Sequence, residues 1–223
     1  MSTPIVVAVD GPSGSGKSST ARGVAQRLGF AYLDTGAMYR AITWALLQRG
    51  VDLDDPEAMA DAASAVALRS GTDPLNPTIE ADGVDVSRPI RGADVTSNVS
   101  VVAAVPAVRE LMVQAQRDAI AEASQGIVVE GRDIGTTVAP DATVKVYLIA
   151  DAEARAHRRA SELGHSDSGA TQADLARRDE LDSSRAASPL TKAPDAFEID
   201  GTAMTLDDVV DVVVGLVEEA RSR

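Results

Sequence analysis

The sequence predicts an α/β fold in which a five-stranded parallel sheet is flanked by helices on both faces. Three observations lead to this fold class. Short apolar runs alternate with amphipathic helical patterns along the chain, and a glycine-rich turn joins the first run to the first helix. One hairpin-like stretch and one arginine-rich stretch interrupt that alternation. The length of 223 residues suits one sizeable domain with insertions.

Composition and charge narrow the class of protein. The apolar content of 44% and charged content of 25% are typical of a globular domain, and no cysteine is present to form a disulfide or a thiolate metal site. Without a long apolar run or a leader pattern, we expect a cytoplasmic protein with no membrane contact. The net charge of −13 argues against a nucleic-acid-binding surface, so we expect the arginines to gather in a cleft for anionic ligands.

The first elements predict a phosphate-binding loop. Ile5 to Val9 is an apolar run typical of a buried strand, and the helix that follows the loop has one apolar face. Between them the chain fits the pattern G-x-x-x-x-G-K-[ST]. The pattern assigns phosphate contacts to Lys17 and a Mg²⁺ ligand to Ser18. The predicted phosphate-binding residues are Gly11, Pro12, Ser13, Gly14, Ser15, Gly16, Lys17, Ser18 and Ser19.

The next stretch predicts a second strand and two helices. Ala31 to Asp34 is a short strand, and Asp34-Thr35-Gly36 begins a helix that carries Tyr39 and Arg40 near its start. Both side chains are expected at the carboxyl edge of the sheet, where open α/β sheets bind ligands. Asp54-Asp55-Pro56 opens a further helix, predicted to run to about Arg69.

A hairpin then interrupts the alternation. Residues 78–86 alternate around an Asp-Gly pair, which favours a tight turn, so we expect an inserted substructure over about residues 60–100. Pro106 begins a long amphipathic helix that is predicted to run to about Ser124, with Arg109 in its first turn and Gly126 ending it.

The third core strand is Ile127 to Val129, and the segment Glu130-Gly131-Arg132-Asp133 follows it. An acid at the end of such a strand is expected to act as the second Mg²⁺-linked carboxylate, through water. Val144 to Ile149 is a fourth strand. Ala196 to Ile199 is the last strand, and a closing helix covers Thr205 to Ala220.

Two arginine stripes lie between the fourth and fifth strands. Asp151 caps a helix with Arg155, Arg158 and Arg159 on one face, and a later helix has Arg178, Asp182 and Arg185 in one stripe. Either stripe alone is typical of solvated surface. Because they flank a polar loop at residues 164–169, together they predict a lid that closes over phosphates. His157 and His165 lack partners at metal-ligand spacing and are expected on the surface.

These residues carry a family resemblance. The chain resembles the bacterial cytidylate kinases, which are nucleoside monophosphate kinases with a phosphate-loop NTPase fold. The resemblance covers about residues 4–220 and includes the hairpin insertion. Its motifs are Asp10 to Lys17, Leu33 to Arg40, Gly131 to Gly135, Arg155 to Arg159 and the stripe from Arg178 to Arg185.

The resemblance implies one domain over residues 1–223. Its core would be residues 1–35, 124–152 and 188–223, with an inserted NMP-binding region at 36–123 and a helical lid at 153–187. The implied catalytic residues are Lys17, Arg132, Arg158 and Arg185, and Arg158 would also bind ATP. The implied CMP-binding residues are Thr35, Tyr39, Arg40, Ser100, Arg109, Arg132, Asp133, Arg178, Asp182 and Arg185.

Two positions depart from the family pattern. Thr35 stands where many members have serine, and it keeps the hydroxyl. Glu130 stands where many have aspartate, so its reach differs by one methylene. The base-reading chemistry agrees with the residue types, because a carboxylate such as Asp133 accepts from the cytosine amine and repels the uracil oxygen, while Arg109 donates to the ring.

The implied activity is phosphorylation of CMP and dCMP by ATP, with Mg²⁺ as cofactor, in a monomeric enzyme. Two alternatives remain open: a phosphate-loop kinase of another small acceptor, such as a sugar or another nucleotide, and a regulatory ATPase without an acceptor. A GTP-dependent switch is disfavoured because the sequence has no Asn-Lys-x-Asp run for guanine. Turnover with and without acceptors separates the two alternatives.

Overall fold

The computed structural model describes residues 4–163, 168–185 and 187–222, and it confirms the predicted fold class. Its strands are β1 (Ile5–Asp10), β2 (Ala31–Asp34), β3 (Leu68–Ser70), β4 (Ile79–Ala81), β5 (Val84–Asp85), β6 (Gly126–Gly131), β7 (Val144–Ile149) and β8 (Phe197–Asp200). Its helices are α1 (Lys17–Leu28), α2 (Thr35–Gln48), α3 (Pro56–Ser64), α4 (Ala93–Ala104), α5 (Pro106–Ala121), α6 (Ala152–Leu163), α7 (Ser168–Ser184) and α8 (Leu206–Arg221). A 3₁₀ turn at Pro89–Arg91 and a π-helical turn at Ile134–Val138 complete the elements.

The central sheet is parallel, in the order β2-β6-β1-β7-β8. Asp10 at the end of β1 lies opposite Gly131 of β6, and Asp34 at the end of β2 lies opposite Glu130. The carboxyl ends of these three strands therefore meet at one edge, which is where open α/β sheets bind ligands. This register places the phosphate loop after β1 beside the segment that follows β6.

Side-chain alternation along β1 divides the hydrophobic core between the two faces of the sheet. Val7 and Val9 pack in the cluster formed with α1 and α8, whereas Ala8 packs in the cluster formed with α2, α4 and α5. The closing helix α8 begins at a capping box, in which the Thr205 hydroxyl accepts the Asp208 N–H and the Asp208 carboxylate accepts the Thr205 N–H. Helices therefore pack against both faces of the central sheet.

The predicted hairpin forms part of a second, antiparallel sheet in the order β3-β4-β5. Asp82 and Gly83 form its turn, and both have the positive φ that a tight hairpin turn requires, 53° and 77°. The prediction that the preceding helix runs to about Arg69 was wrong. Helix α3 ends at Ser64, and β3 pairs with β4. The sequence pattern did not reveal β3 because its paired residues lie about nine to thirteen positions further along the chain, outside the local periodicity.

Two other boundaries differ from the prediction. Helix α4 was not identified within the insertion, since its valines also fit a strand pattern. Gly126 was predicted to end a helix, but α5 already ends at Ala121 and Gly126 is the first residue of β6. A Cβ at Gly126 would lie 2.7 Å from the ring of Phe30, so close packing explains this glycine.

The arginine-rich region consists of α6 and α7. As predicted, the Asp151 carboxylate caps α6 by accepting the Ala154 N–H at 2.7 Å. Of the predicted loop at 164–169, residues 164–167 lie outside the described residues and 168–169 belong to α7. His157 is exposed as predicted, and His165 lies outside the described residues. Over the ranges that the structure describes, no helix is long and apolar enough to cross a membrane.

Candidate active site

The phosphate loop connects β1 to α1, which confirms the strand-loop-helix arrangement expected from its sequence pattern. Gly16 stands at the N-cap of α1 with φ of 96°, in the left-handed region. Gly11 has φ of 147°, and a Cβ there would lie 2.1 Å from the carbonyl oxygen of Leu148 in β7. Both positions therefore require glycine, and the loop is held tightly against the end of the sheet.

Lys17, the first residue of α1, is buried beneath this loop. Its Nζ donates to the carbonyl oxygen of Pro12 at 2.7 Å. Burial, together with the nearby charge of Arg132, lowers the pKa of Lys17 to about 7. An anion bound on the loop would favour the charged ammonium, so the lysine is suited to phosphate.

Glu130, at the end of β6, joins α1 to β2. One carboxylate oxygen accepts the Ser18 hydroxyl at 2.9 Å, and the other accepts the hydroxyl of Tyr32. Burial, with the neighbouring charge of Asp34, raises the pKa of Glu130 to about 7. The hydroxyl of Thr35 donates to the Glu130 backbone carbonyl at 2.7 Å. The structure thus brings together the two residues predicted to lie near Mg²⁺.

Arg132, in the segment after β6, links the phosphate loop to α7. Its Nε donates to the Asp182 carboxylate at 3.0 Å, and one terminal nitrogen donates to the Ser13 hydroxyl at 2.7 Å. Asp182 also accepts the Ser100 hydroxyl at 3.4 Å and lies 3.7 Å from the guanidinium of Arg185. Three other predicted substrate-binding residues therefore meet at the Asp182 carboxylate: Ser100 of α4, Arg132 after β6 and Arg185 after α7.

Asp133 forms a buried ion pair with Arg109 of α5. The Arg109 guanidinium also donates to the Ala103 carbonyl at 3.1 Å and lies 5.4 Å from the ring centre of Tyr39. Within the described residues, the Arg109 Nε and the Tyr39 hydroxyl are buried without a hydrogen-bond partner. Unpartnered buried donors beside a cavity are suited to a polar ligand.

Further arginines crowd the cavity. Arg40 donates to the Ile90 carbonyl at 3.1 Å and to the Thr96 hydroxyl at 2.9 Å. Burial lowers the pKa of Arg40 to about 9, with the charges of Arg178 and Arg159 adding to the effect. Burial also lowers the pKa of Arg178 to about 10. Because these cations repel one another, an anion between them would be stabilised.

Helices α6 and α7 contact the phosphate loop through Ser13 and Ser15. Asp179 of α7 accepts the Ser13 N–H at 3.0 Å and pairs with Arg155 of α6, which also donates to the Ser13 carbonyl at 3.1 Å. Arg158 donates to the carbonyl oxygens of Ser15, at 3.0 Å, and of Gly201. The two arginine helices thus lie against the loop, as the paired stripes indicated.

These groups surround one cavity of about 510 Å³. The predicted site residues that line it are Ser13, Gly14, Gly16, Lys17, Ser18, Ser19, Thr35, Tyr39, Arg40, Ser100, Arg109, Glu130, Arg132, Asp133, Arg178, Asp182 and Arg185. Gly11, Pro12, Ser15 and Arg158 lie behind this lining, where they shape or hold the loop. The expectation that positive charge gathers in a cleft is confirmed, since eight of the lining residues are arginines.

Sequence reasoning missed several residues of this site. Arg22, Tyr32, Asp34 and Arg91 line the cavity, as does Arg159, which was placed in a stripe but given no role. Arg22 and Arg91 lie outside the motifs, so motif spacing gives no signal for them, whereas Tyr32 directly precedes the motif Leu33 to Arg40 and Arg159 ends the motif Arg155 to Arg159. Position Asp34 had such a signal, since it ends a strand at the ligand-binding edge.

Comparison with known proteins agrees with this geometry. A family model described as cytidylate kinase matches residues 7–219. The cytidylate kinase of Streptomyces griseus is 57% identical over 217 residues, which cover 97% of this chain and 94% of that protein. The cytidylate kinase of Streptomyces coelicolor is 58% identical over 218 residues, covering 98% and 94%.

A solved structure, of an uncharacterized protein from Eubacterium ventriosum, is similar in fold at 13% identity. Its TM-score is 0.53, with 98% of this chain and 99% of that chain covered. That likeness bears on the fold alone. The family model and the relatives both extend over nearly the whole chain, and on that basis the chain belongs to the cytidylate kinase family.

Proposed function

We propose that this chain transfers the γ-phosphoryl group of ATP to CMP and dCMP, giving ADP with CDP or dCDP. Family membership supports the reaction. One observation carries it for this chain: the phosphate loop and the Arg109–Asp133 pair open into the same cavity. A phosphate donor on the loop and a base at the ion pair would lie within the same cavity, as transfer between two nucleotides requires.

The proposed chemistry is positioning and charge neutralisation. Phosphoryl transfer needs little covalent work from the protein, and a phosphate monoester acceptor is already largely ionised. Lys17, Arg132 and Arg185 supply positive charge around the transferring group, and arginines in that role are worth on the order of 10³ to 10⁵ in rate. Arg158 would act through the backbone of the phosphate loop, which it holds at Ser15.

Base selection is assigned to the pair of Asp133 and Arg109. The cytosine amine donates where uracil has a carbonyl, so a carboxylate favours cytosine. Because both side chains are buried, a mismatched base would leave a polar group without a partner in a place that water does not reach. Ser100 and Tyr39 complete the proposed base pocket, and Arg178 with Asp182 the ribose side.

Mg²⁺ is the proposed cofactor. Ser18 Oγ and Glu130 Oε2, 2.9 Å apart, are oxygen ligands that suit a hard cation. Among the residues that the structure describes, no group of three or more His, Cys, Asp or Glu side chains is arranged to hold a metal. This fits an ion that keeps waters and nucleotide oxygens as most of its ligands. When bound, it would neutralise charge on the phosphate oxygens.

We also propose the division of the chain into a core, an NMP-binding region (36–123) and a lid (153–187), which the cavity supports because residues from all three ranges line it. Arg40 and Arg109 come from the NMP-binding region, and Arg159 and Arg178 come from the lid. A monomer is expected, and size-exclusion chromatography with light scattering tests that expectation.

A coupled ADP-release assay with ATP and Mg²⁺ tests the function, using CMP, dCMP, UMP, AMP and GMP as acceptors. We expect turnover with CMP and dCMP that Lys17→Ala abolishes. Asp133→Asn keeps the side-chain shape but adds an amide NH₂ group, which can donate to the uracil carbonyl, so the variant is expected to shift the preference towards UMP. Asp211→Asn, an exposed carboxylate on α8, is the matched control and is expected to behave as the wild type.

Three outcomes would contradict the proposal. ADP release at the same rate without any acceptor would indicate an ATPase. Turnover with AMP or GMP but not with CMP would keep a kinase and remove the cytosine assignment. Activity that Lys17→Ala leaves unchanged would remove the phosphate loop from the reaction.

A further inference from the structure

Asp10 connects the phosphate loop to the segment that carries Arg132 and Asp133. It is the last residue of β1 and directly precedes Gly11. Its side chain is buried, and its two carboxylate oxygens accept one backbone N–H each, from Ile134 at 2.9 Å and from Gly135 at 2.8 Å. Those N–H groups begin the π-helical turn that follows β6.

The segment Gly131–Asp133 is consequently fixed at both ends. Strand pairing holds Gly131 opposite the Asp10 backbone, and the Asp10 carboxylate holds the two residues that come after Asp133. Arg132 and Asp133 project from between these anchors into the cavity, whereas Asp10 lies behind the cavity lining. It therefore acts on the site through the backbone of its neighbours.

The packing leaves little freedom in this contact. A Cβ added at Gly135 would lie 3.2 Å from Lys145 Cδ and 3.4 Å from the Asp10 carboxylate. The residue at 135 has to be small for the turn to approach Asp10 this closely. A side chain at this position would press the turn away from Asp10 and Lys145, and movement away from Asp10 would weaken the two hydrogen bonds.

The chemistry of the contact requires a carboxylate. Two N–H donors converge on one side chain, and a carboxylate offers an acceptor oxygen to each. An asparagine has one oxygen, and its NH₂ would face the second N–H as donor against donor. Burial of the negative charge of Asp10 is unfavourable in itself. The two N–H groups and the positive charge of Lys17 offset part of this cost.

We infer that Asp10 is a positioning residue for the phosphate acceptor. By tying the turn after Asp133 to the residue before the phosphate loop, it sets the distance between the acceptor-binding side chains and the donor-binding loop. The inference rests on the proposed function, in which Arg132 and Asp133 bind the acceptor. A displacement of about 1 Å in such a site lowers turnover by about 10²-fold.

The test is Asp10→Asn, with acceptor kinetics at saturating ATP and, separately, ATP binding without acceptor by calorimetry. We expect kcat/KM for CMP to fall by about 10²-fold and the ratio of CMP to UMP turnover to relax. The Kd for ATP is expected to stay within about threefold, since Gly11 to Ser18 keep their own contacts. Asp211→Asn serves again as the control.

Gly135→Ala provides a second variant in case Asp10→Asn folds poorly. It keeps the carboxylate and moves the turn by a few tenths of an ångström, so we expect the same selective effect on the acceptor with a smaller size. Unchanged acceptor kinetics in both variants would overturn the inference. A parallel loss of ATP affinity, acceptor kinetics and melting temperature would also overturn it, because that pattern indicates a general structural role.

Failure of the proposed function has a different signature. If the wild type phosphorylates another acceptor instead of CMP, the cytosine assignment fails, and the same comparison is made with that acceptor. Asp10→Asn would then support the inference by weakening that acceptor selectively, or refute it by leaving acceptor kinetics unchanged.

Discussion

The buried carboxylate of Asp10 makes the stability of the protein depend on pH in an unusual direction. Burial raises the pKa of Asp10 from 3.8 to about 6, with the charge of Asp133 acting in the same sense and Lys17 opposing it. Between these two values the unfolded chain has lost a proton that the folded chain still holds. Stability therefore decreases as the pH rises through this window.

The size of the effect follows from the shift. About two pKa units at 1.36 kcal/mol each give roughly 3 kcal/mol, present below pH 4 and lost above pH 6. Urea unfolding of the wild type and Asp10→Asn, followed by circular dichroism from pH 4 to pH 7, measures it. The stability of the wild type relative to the variant should fall by about 3 kcal/mol across this range. Other carboxylates titrate alike in both proteins and cancel.

Asp195→Asn is a second variant for which the stability difference from the wild type is expected to change with pH in the opposite direction. Asp195 is exposed, and its bond from Lys145 lowers its pKa. Its contribution to stability is present at neutral pH and is lost as the pH falls below about 4 through the lowered pKa, so for this variant the urea series is extended below pH 4. A stability difference between wild type and Asp10→Asn that stays constant with pH, or that grows as the pH rises, would refute the reasoning about Asp10.

Three further predictions concern the same edge of the sheet. Gly11→Ala is expected to lower the free energy of unfolding, measured by urea titration, by on the order of 3 kcal/mol, because the added Cβ would meet the Leu148 carbonyl. Gly50 also has positive φ but has open space around it, so Gly50→Ala should lower the free energy of unfolding by only about 1 kcal/mol in the same titration. Tyr32→Phe removes the hydroxyl that donates to the buried Glu130 carboxylate, so we expect a loss of about 1.5 to 3 kcal/mol, and an unchanged unfolding midpoint would contradict that bond. Since burial lowers the pKa of Lys17 to about 7, binding of ATP should take up protons near pH 8 and not near pH 5, which calorimetry in buffers of different ionisation enthalpy detects; Lys17→Ala should abolish the uptake.

The sequence was sufficient for the parts of the molecule that depend on local pattern. The phosphate loop, the five core strands and the Asp82-Gly83 turn all have signals within about ten residues, and each is confirmed. The motif residues were predicted as one site because the carboxyl ends of parallel strands meet at one edge. The cavity that most of them line agrees with that prediction.

Contacts between distant segments were beyond the sequence pattern. The bonds from Ile134 and Gly135 to Asp10 cross more than 120 residues, and the contact of Tyr32 with Glu130 crosses 98. The strand β3 was taken for the end of a helix for the same reason, since its partner is β4. Such partners become visible only when the chain is folded, because side-chain direction and register decide them.

The distribution of charge between the cavity and the outer surface affects which anionic molecules can bind in the cavity. The chain carries a net charge of −13, while most of the charged residues that line the cavity are arginines or Lys17, so the remaining surface is more negative than the total. A mononucleotide is small enough to bind entirely within the cavity, where its phosphate is away from the negative charges of the outer surface. Most phosphates of a nucleic acid strand would lie along the negative exterior. There the attraction of the cavity arginines is largely screened, because the screening length at physiological ionic strength is about 8 Å. Polymers with the same bases are thereby disfavoured as competitors for a site that binds their monomers.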